Sequence, residues 1–301
     1  MTRDFSAELS AYILGESDAG NFGLPFQIER LGRAGLKATF FIETMFARHA
    51  GDDALHGIVT SVRDGGHDAQ LHIHAEWLRD FGTAESPQSP LHMWHFSEDQ
   101  QTQLIAEGAA RLRAAGAPAP CAFRAGNFGA NFETLRALAR NGLAFDSSYN
   151  SCFLESFCRL RTEEPLLQQR LIEGVYEYPV ATFRDYPGHE RPAQLGACSA
   201  AEIRGALMAA WAAGWDSFVI IWHSGELLAD VGRQARRRPH AINIRRFESL
   251  CDLLAINRDK FRTAVFSEMG TPPLANHVKH ISTPWRHTAW RFAEQLASRW
   301  V

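Results

Sequence analysis

The chain has 301 residues, 46% of them hydrophobic, with a formal net charge of −3. That is enough apolar chain for one barrel-sized core or two smaller ones, and the charge gives no footing for a nucleic-acid partner. The five cysteines (Cys121, Cys152, Cys158, Cys198 and Cys251) are scattered and form no CxxC pair, the N-terminus lacks the apolar stretch of a signal peptide, and no apolar run is long enough to cross a bilayer, so reduced thiols and a cytoplasmic location are expected.

From about residue 24 to residue 269, β-like runs alternate with amphipathic stretches. A helix at Pro25–Ala34 leads to a strand at Lys37–Ile42, and one at Asp52–Arg63 leads to a strand at Asp68–His74. The helix Glu98–Ala115 opens on the capping-box spelling Ser97-Glu-Asp-Gln100 and is followed by a strand at Cys121–Ala125. Next come a helix at Phe132–Asn141 and strands at Phe145–Tyr149 and Val175–Val180. A second capping box, Ser199-Ala-Ala-Glu202, opens Ala200–Ala213, which precedes a strand at Ser217–Ser224; a helix at Arg245–Asn257 and a strand at Thr263–Ser267 complete the series. Gly35, Gly65, Gly116 and Gly142 close the first four helices. Strands separated by single helices imply parallel βαβ units, and seven of them suggest a barrel-like α/β sheet.

Two segments break the rhythm. Gly82–Trp94 is a Pro/Ser-containing loop suited to a rim or lid. Residues 1–270 form the expected barrel domain; 271–301 form a tail, with a short amphipathic helix, that carries Trp285, Trp290 and Trp300 with Arg286, Arg291 and Arg299. The tail is expected to pack across the barrel or a partner subunit, with a membrane surface as the alternative.

The most informative residues are His72-Ile-His74. Residues two apart on a strand point to the same side, so both imidazoles converge, as two neutral ligands of a divalent metal do. A hydrogen-bonded pair without a metal is the competing reading. Arg124, in Cys121-Ala-Phe-Arg-Ala-Gly-Asn-Phe-Gly129, is a fixed cation at a strand end that can bind an oxyanion or form a structural ion pair. His223 ends the apolar run Phe218-Val-Ile-Ile-Trp-His and is a general-acid candidate. Asp146-Ser-Ser-Tyr149 and Tyr176-Glu-Tyr-Pro179 add polar and aromatic groups suited to a sugar, and Asn127, Tyr149 and Trp222 are candidate substrate contacts. There is no GxSxG elbow, P-loop or dinucleotide fingerprint, and Cys121 reads as a buried, inert thiol.

The order Lys37-Ala-Thr-Phe-Phe-Ile42, Gly66-His67 with His72 five residues on, Phe123-Arg124-Ala-Gly126 and Trp222-His223-Ser224 resembles the polysaccharide deacetylase family, the NodB-homology carbohydrate esterases, over nearly the whole chain. The spellings His72-Ile-His74-Ala-Glu-Trp77 and Ala122-Phe-Arg-Ala-Gly-Asn-Phe-Gly-Ala-Asn131 resemble the branch found with bacterial surface-polysaccharide genes. The resemblance implies a deformed (β/α) barrel and a metal-bound water, with zinc (or cobalt or nickel) as the metal, attacking an acetyl carbonyl on a carbohydrate. His72 then matches the first metal histidine, His74 or Glu76 the second ligand, Arg124 the arginine that orients the catalytic aspartate, and His223 the general acid.

The family's opening strand, which ends in an acidic motif supplying the metal aspartate and the base, has no counterpart here. Asp18 lies near the common position, but Ser17 then stands where the base should be; Asp18 or Asp4 is the candidate substitute ligand. Either the chain starts downstream of that strand, or the protein has lost its base and keeps only sugar binding. The expected activity is metal-dependent removal of acetyl groups from a (poly)saccharide; the alternatives are a catalytically silent sugar-binding protein and a C–N hydrolase of a small amide.

Overall fold

A hairpin of β1 (Glu16–Ser17) and β2 (Gly20–Asn21) precedes α1 (Leu24–Arg33), which carries Pro25 in its first turn, where a missing N–H costs nothing. There follow β3 (Thr39–Glu43), α2 (Ala47–Ala50), α3 (Asp52–Asp64), β4 (Asp68–Ile73), α4 (Glu98–Ala114), β5 (Ala122–Ala125), α5 (Phe132–Arg140), β6 (Phe145–Asp146), β7 (Arg170–Ile172) and β8 (Val175–Glu177). A hairpin of β9 (Thr182–Tyr186) and β10 (His189–Pro192), then α6 (Ala200–Ala212), β11 (Leu228–Ala229), β12 (Arg238–Pro239), α7 (Ala241–Ile256) and α8 (Trp285–Ser298) complete the order. The computed structural model describes residues 9, 13–81, 91–229, 238–272 and 278–298.

The main sheet has the order β3-β4-β5-β6-β8-β7, parallel except for β7. Its register separates two faces. Ile42, Leu71 and Phe123 form one buried row, packed under Leu55, Val59 and Val62 of α3, Leu104 and Ile105 of α4 and Leu138 of α5. Truncating any of these large side chains to Ala should cost about 2–5 kcal/mol. The closeness of α4 depends on Gly108: a Cβ there would meet Leu71 Cδ1 at 2.9 Å and Thr44 Oγ1 at 3.0 Å. Both capping boxes form. Ser97 Oγ accepts from Gln100 N while Gln100 Oε1 accepts from Ser97 N, and Ser199 and Glu202 do the same for α6.

The opposite face is polar. Thr39 pairs with Asp68, Phe41 with Gln70, and Glu43 with His72 and, through it, Arg124. Gln70 Oε1 accepts from both Cys121 N and Ala122 N, tying β4 to the start of β5.

Two expected strands do not form. Residues 217–222 make only isolated parallel bridges, Val219 to Val180 and Ile221 to Gln194. Around Thr263–Ser267 the chain turns at Phe266–Glu268, because Thr39 Oγ1 and Asp68 Oδ2 take the Phe266 and Ser267 N–H groups that a ladder would need. The expected barrel is therefore open among the described residues. Between β3 and 217–222 lies a cavity of about 350 Å³, lined by Thr39, Phe41, Arg124, Val219, Trp222 and Phe266 among others. The sheet ahead of it is sealed by an aromatic cluster of Phe41, Phe145, Tyr178 and Phe266.

The tail helix forms as α8 and docks on β9 and α6. Among the described residues no helix is long and apolar enough to cross a membrane. Of the expected rim loop, 82–90 lies outside the described residues, as do Asp4, Arg299 and Trp300.

Candidate active site

Glu43, His72 and Arg124 occupy one rung across β3, β4 and β5, so their side chains leave the same face at the C-terminal ends of parallel strands. In parallel α/β sheets this is where ligands bind. Each residue is fixed differently.

His72 Nδ1 lies 2.6 Å from the Arg124 carbonyl oxygen. A carbonyl can only accept, so Nδ1 carries the proton and Nε2 keeps its lone pair. Burial, reinforced by the positive charges of His74, Arg124 and His223, holds the ring well below its ordinary pKa, so it is neutral. The neighbouring His74 ring stands edge-on, with centroids 4.7 Å apart. Its Nδ1 is 3.2 Å from Glu76 Oε2. Burial alone would lower the His74 pKa, but the Glu76 hydrogen bond and the nearby Glu43 charge outweigh it and raise it. Glu76 is correspondingly lowered, the bond to His74 overcoming burial. Asn127, in a left-handed conformation at φ 53°, donates to Glu76 Oε1 at 2.6 Å. Gly126 leaves no room for a side chain, since a Cβ there would meet the His74 ring at 2.7 Å.

The two imidazoles thus meet as their spacing predicts, but they do not share one target. His72 Nε2 has the form of a metal ligand, an unprotonated nitrogen whose partner N–H is held by a carbonyl. His74 and Glu76 are bonded to each other, and both oxygens of Glu43 accept backbone N–H groups, from Met45 and from His74. Among the described residues no group of three His, Cys, Asp or Glu side chains is arranged to hold a metal ion. The donor set present there does not complete a metal centre.

Arg124 sends Nε to Ser147 O at 2.9 Å and Nη2 to Ser147 Oγ at 2.8 Å, with its guanidinium 4.5 Å above the Phe41 ring. Burial pulls its pKa down to about 10, against the pull of Asp146 and Glu177, so it remains a cation at neutrality. Its hydrogen bonds go to neutral groups. It lines the open cavity, and among the described residues it closes no ion pair there.

His223 is exposed, and its Nδ1 lies 2.7 Å from Glu226 Oε1. Glu226 also accepts from Gln194 Nε2 at 2.7 Å and Gly196 N at 3.1 Å, which makes it a rigid support. Trp222 Nε1 donates to Gln27 Oε1 at 2.8 Å while Gln27 Nε2 donates to Ser224 O, so the buried Gln27 of α1 fixes the segment carrying His223. His223 is close enough for its charge to oppose protonation of His72.

Of the expected substrate contacts, Asn127 is exposed beside Glu76 and Trp222 lines the cavity. Tyr149 does not join them: it is fully buried, its hydroxyl accepting from Leu166 N at 3.1 Å. Asp18 sits exposed in the β1–β2 turn. Burial raises the Cys121 thiol to about 11, which matches the expected inert thiol.

Two residues were missed by sequence reasoning. Glu43 ends the apolar strand and was hidden by it, although counting 39, 41, 43 places it on the face of 68, 70 and 72. Burial raises its pKa to about 7, with the His74 charge pulling the other way. Glu226, three residues after His223, carried no sequence signal beyond that spacing.

No family model and no curated protein matches the chain. In fold the chain is similar to a family 4 carbohydrate esterase from Streptomyces lividans in complex with acetate, at 14% identity and a TM-score of 0.43, over 79% of this chain and 83% of that one. It is also similar to a provisionally assigned polysaccharide deacetylase from Mycobacterium smegmatis, at 18% identity and a TM-score of 0.46, over 84% of this chain and 82% of that one.

Proposed function

We propose that the chain is a deacetylase-type hydrolase that removes an acetyl group from a carbohydrate, in bacterial surface-polysaccharide metabolism. The observation that carries the proposal is the single rung of Glu43, His72 and Arg124, with the His223–Glu226 pair near enough for the His223 charge to act on His72. Acetyl hydrolysis needs an acceptor for the proton of the attacking water, a positive charge for the oxyanion, and an acid for the leaving group. His72 Nε2 offers the lone pair that orients the water, Glu43 a carboxylate that can take up its proton, Arg124 the fixed cation and His223 the acid. Asn127 and Trp222 suit contacts to a sugar ring and its hydroxyls. His72 Nε2, whose ring N–H is held by the Arg124 carbonyl, is the nitrogen at which a zinc, cobalt or nickel ion would be met.

A second reading, a sugar-binding protein without catalysis, is favoured by the lack of a completed metal-holding group among the described residues. The two are separated by measuring acetate release from N- and O-acetylated oligosaccharides alongside binding of the same oligosaccharides by calorimetry. Release that His72→Ala abolishes supports the hydrolase; binding with no release supports the second reading.

A further inference from the structure

α8 is inside out. Over residues 285–296 of this helix, the described side chains that face the protein are His287, Thr288, Arg291 and Glu294, all polar and spaced as one helical stripe. Arg291 is buried and sends Nε to Glu202 Oε1 at 3.1 Å and Nη2 to Asp185 Oδ2 at 3.2 Å, both carboxylates being fully buried. Thr288 Oγ1 is 3.1 Å from Asp185 O and 3.1 Å from Glu202 Oε1, and Glu294 is held by Arg246 at 2.8 Å. The helix is thus anchored by charge-assisted hydrogen bonds, not by its apolar residues.

Those apolar residues point outward. Trp285 is 73% exposed, Trp290 62%, Leu296 58% and Phe292 51%, with Ala289 and Ala293 exposed between them. At 100° per residue they fill one continuous arc, with Arg286 as its charged member. An ordinary surface helix turns its apolar stripe inward, and leaving four large apolar side chains in water on one short helix marks an interaction face.

The charge nearby chooses the partner. Of the charged residues described between 278 and 296, those left exposed are Lys279 and Arg286, both cations. The carboxylate in that stretch, Glu294, is committed to Arg246 through one oxygen and accepts from Trp290 Nε1 at 3.1 Å through the other. Aromatic and aliphatic side chains whose exposed charged neighbours along this stretch are cations match an anionic lipid surface, into which such a helix sinks lengthwise. A second copy fits less well. A 14-residue helix is about 21 Å long and about 10 Å wide, so one face covers on the order of 200 Å², against about 800 Å² per partner in a stable dimer.

We propose that the outward face of α8 docks this protein on anionic membrane surfaces, lying in the interface. The test is flotation of the full chain with vesicles of phosphatidylcholine alone and with phosphatidylglycerol added. Partitioning should be at least tenfold greater on the phosphatidylglycerol vesicles, fall at least tenfold in the triple variant Trp285→Ser, Phe292→Ser, Leu296→Ser, and weaken with salt and in Arg286→Glu. Thermal unfolding of the variants should stay cooperative and near wild type, because the bonds of Arg291, Thr288 and Glu294 that hold the helix are untouched; the contact given up is that of the Phe292 ring with the Arg291 guanidinium. No partitioning, partitioning unchanged in the triple variant, or equal partitioning on both vesicles overturns the proposal. So does light scattering that finds a dimer which the triple variant dissociates, since the face would then be a subunit interface.

Discussion

Glu43 and His72 stand opposite each other in the parallel ladder of β3 and β4, and the carboxylate of Glu43 reaches past that rung to accept the N–H of His74. One side chain thus fixes the strand exit that carries both histidines. Its burial raises its pKa from 4.5 to about 7. For an acid raised in the folded state, the stabilising contribution is complete below about pH 4.5 and is lost as pH rises through about 7. Denaturant unfolding at pH 5 and pH 8 should show wild type losing more stability over that interval than Glu43→Gln, by at most about 3 kcal/mol. Identical losses would mean that Glu43 titrates as an ordinary exposed carboxyl.

The hydrogen bond from His72 to the Arg124 carbonyl fixes a tautomer. Nitrogen-15 NMR of the imidazoles should find His72 neutral, protonated on Nδ1, through the range in which His74, raised by Glu76, takes up its proton. A His72 ring protonated on Nε2, or cationic near neutrality, would remove its lone pair from the site.

Arg124 separates structural from chemical roles. Replacing it with Met leaves Ser147 O without its donor, a loss of about 1–2 kcal/mol by thermal or chemical unfolding, while keeping the stem over Phe41. Acetate release should fall far more, by about 10²–10³-fold, if the guanidinium meets the developing oxyanion. A variant that unfolds cooperatively near wild type and keeps its activity would reduce Arg124 to a packing residue.

Glu226 is a positioning residue, since it reaches the reaction only through His223. Glu226→Gln should lower kcat roughly ten- to a hundredfold with KM nearly constant, because the amide oxygen can still accept from Gly196 N or from Gln194 while the carboxylate behind the imidazole is gone. An equal rise in KM with kcat unchanged would point instead to substrate binding.

The sequence made the helices and the central parallel strands legible because their periods are strong. Asp52–Asp64 and Glu98–Ala114 carry regular apolar stripes, and Ser97 and Ser199 mark helix starts through their own side-chain hydrogen bonds. Residues 263–267 are as apolar as a strand, yet Thr39 and Asp68, distant in sequence, take their N–H groups and turn them aside. Periodicity also reveals that α8 has two faces without saying which one turns inward. That was decided by Asp185 and Glu202, buried carboxylates on other elements that Arg291 satisfies. In the candidate site, local spelling singles out His72, Arg124 and His223. Glu43 was hidden in an apolar run, and Tyr149 was misjudged because a tyrosine at a strand end does not declare that its hydroxyl will be spent on Leu166 N.

The proposed reaction is hydrolysis of an acetylated carbohydrate at the Glu43–His72–Arg124 rung. Its most direct test is acetate released from N-acetylated and O-acetylated oligosaccharides by the purified chain, with zinc or cobalt added and again with a chelator, for wild type and His72→Ala. Wild type should release acetate in at least one condition, and His72→Ala should lose at least a hundredfold of that release. No acetate from any oligosaccharide in either condition, or equal release by His72→Ala, would contradict it.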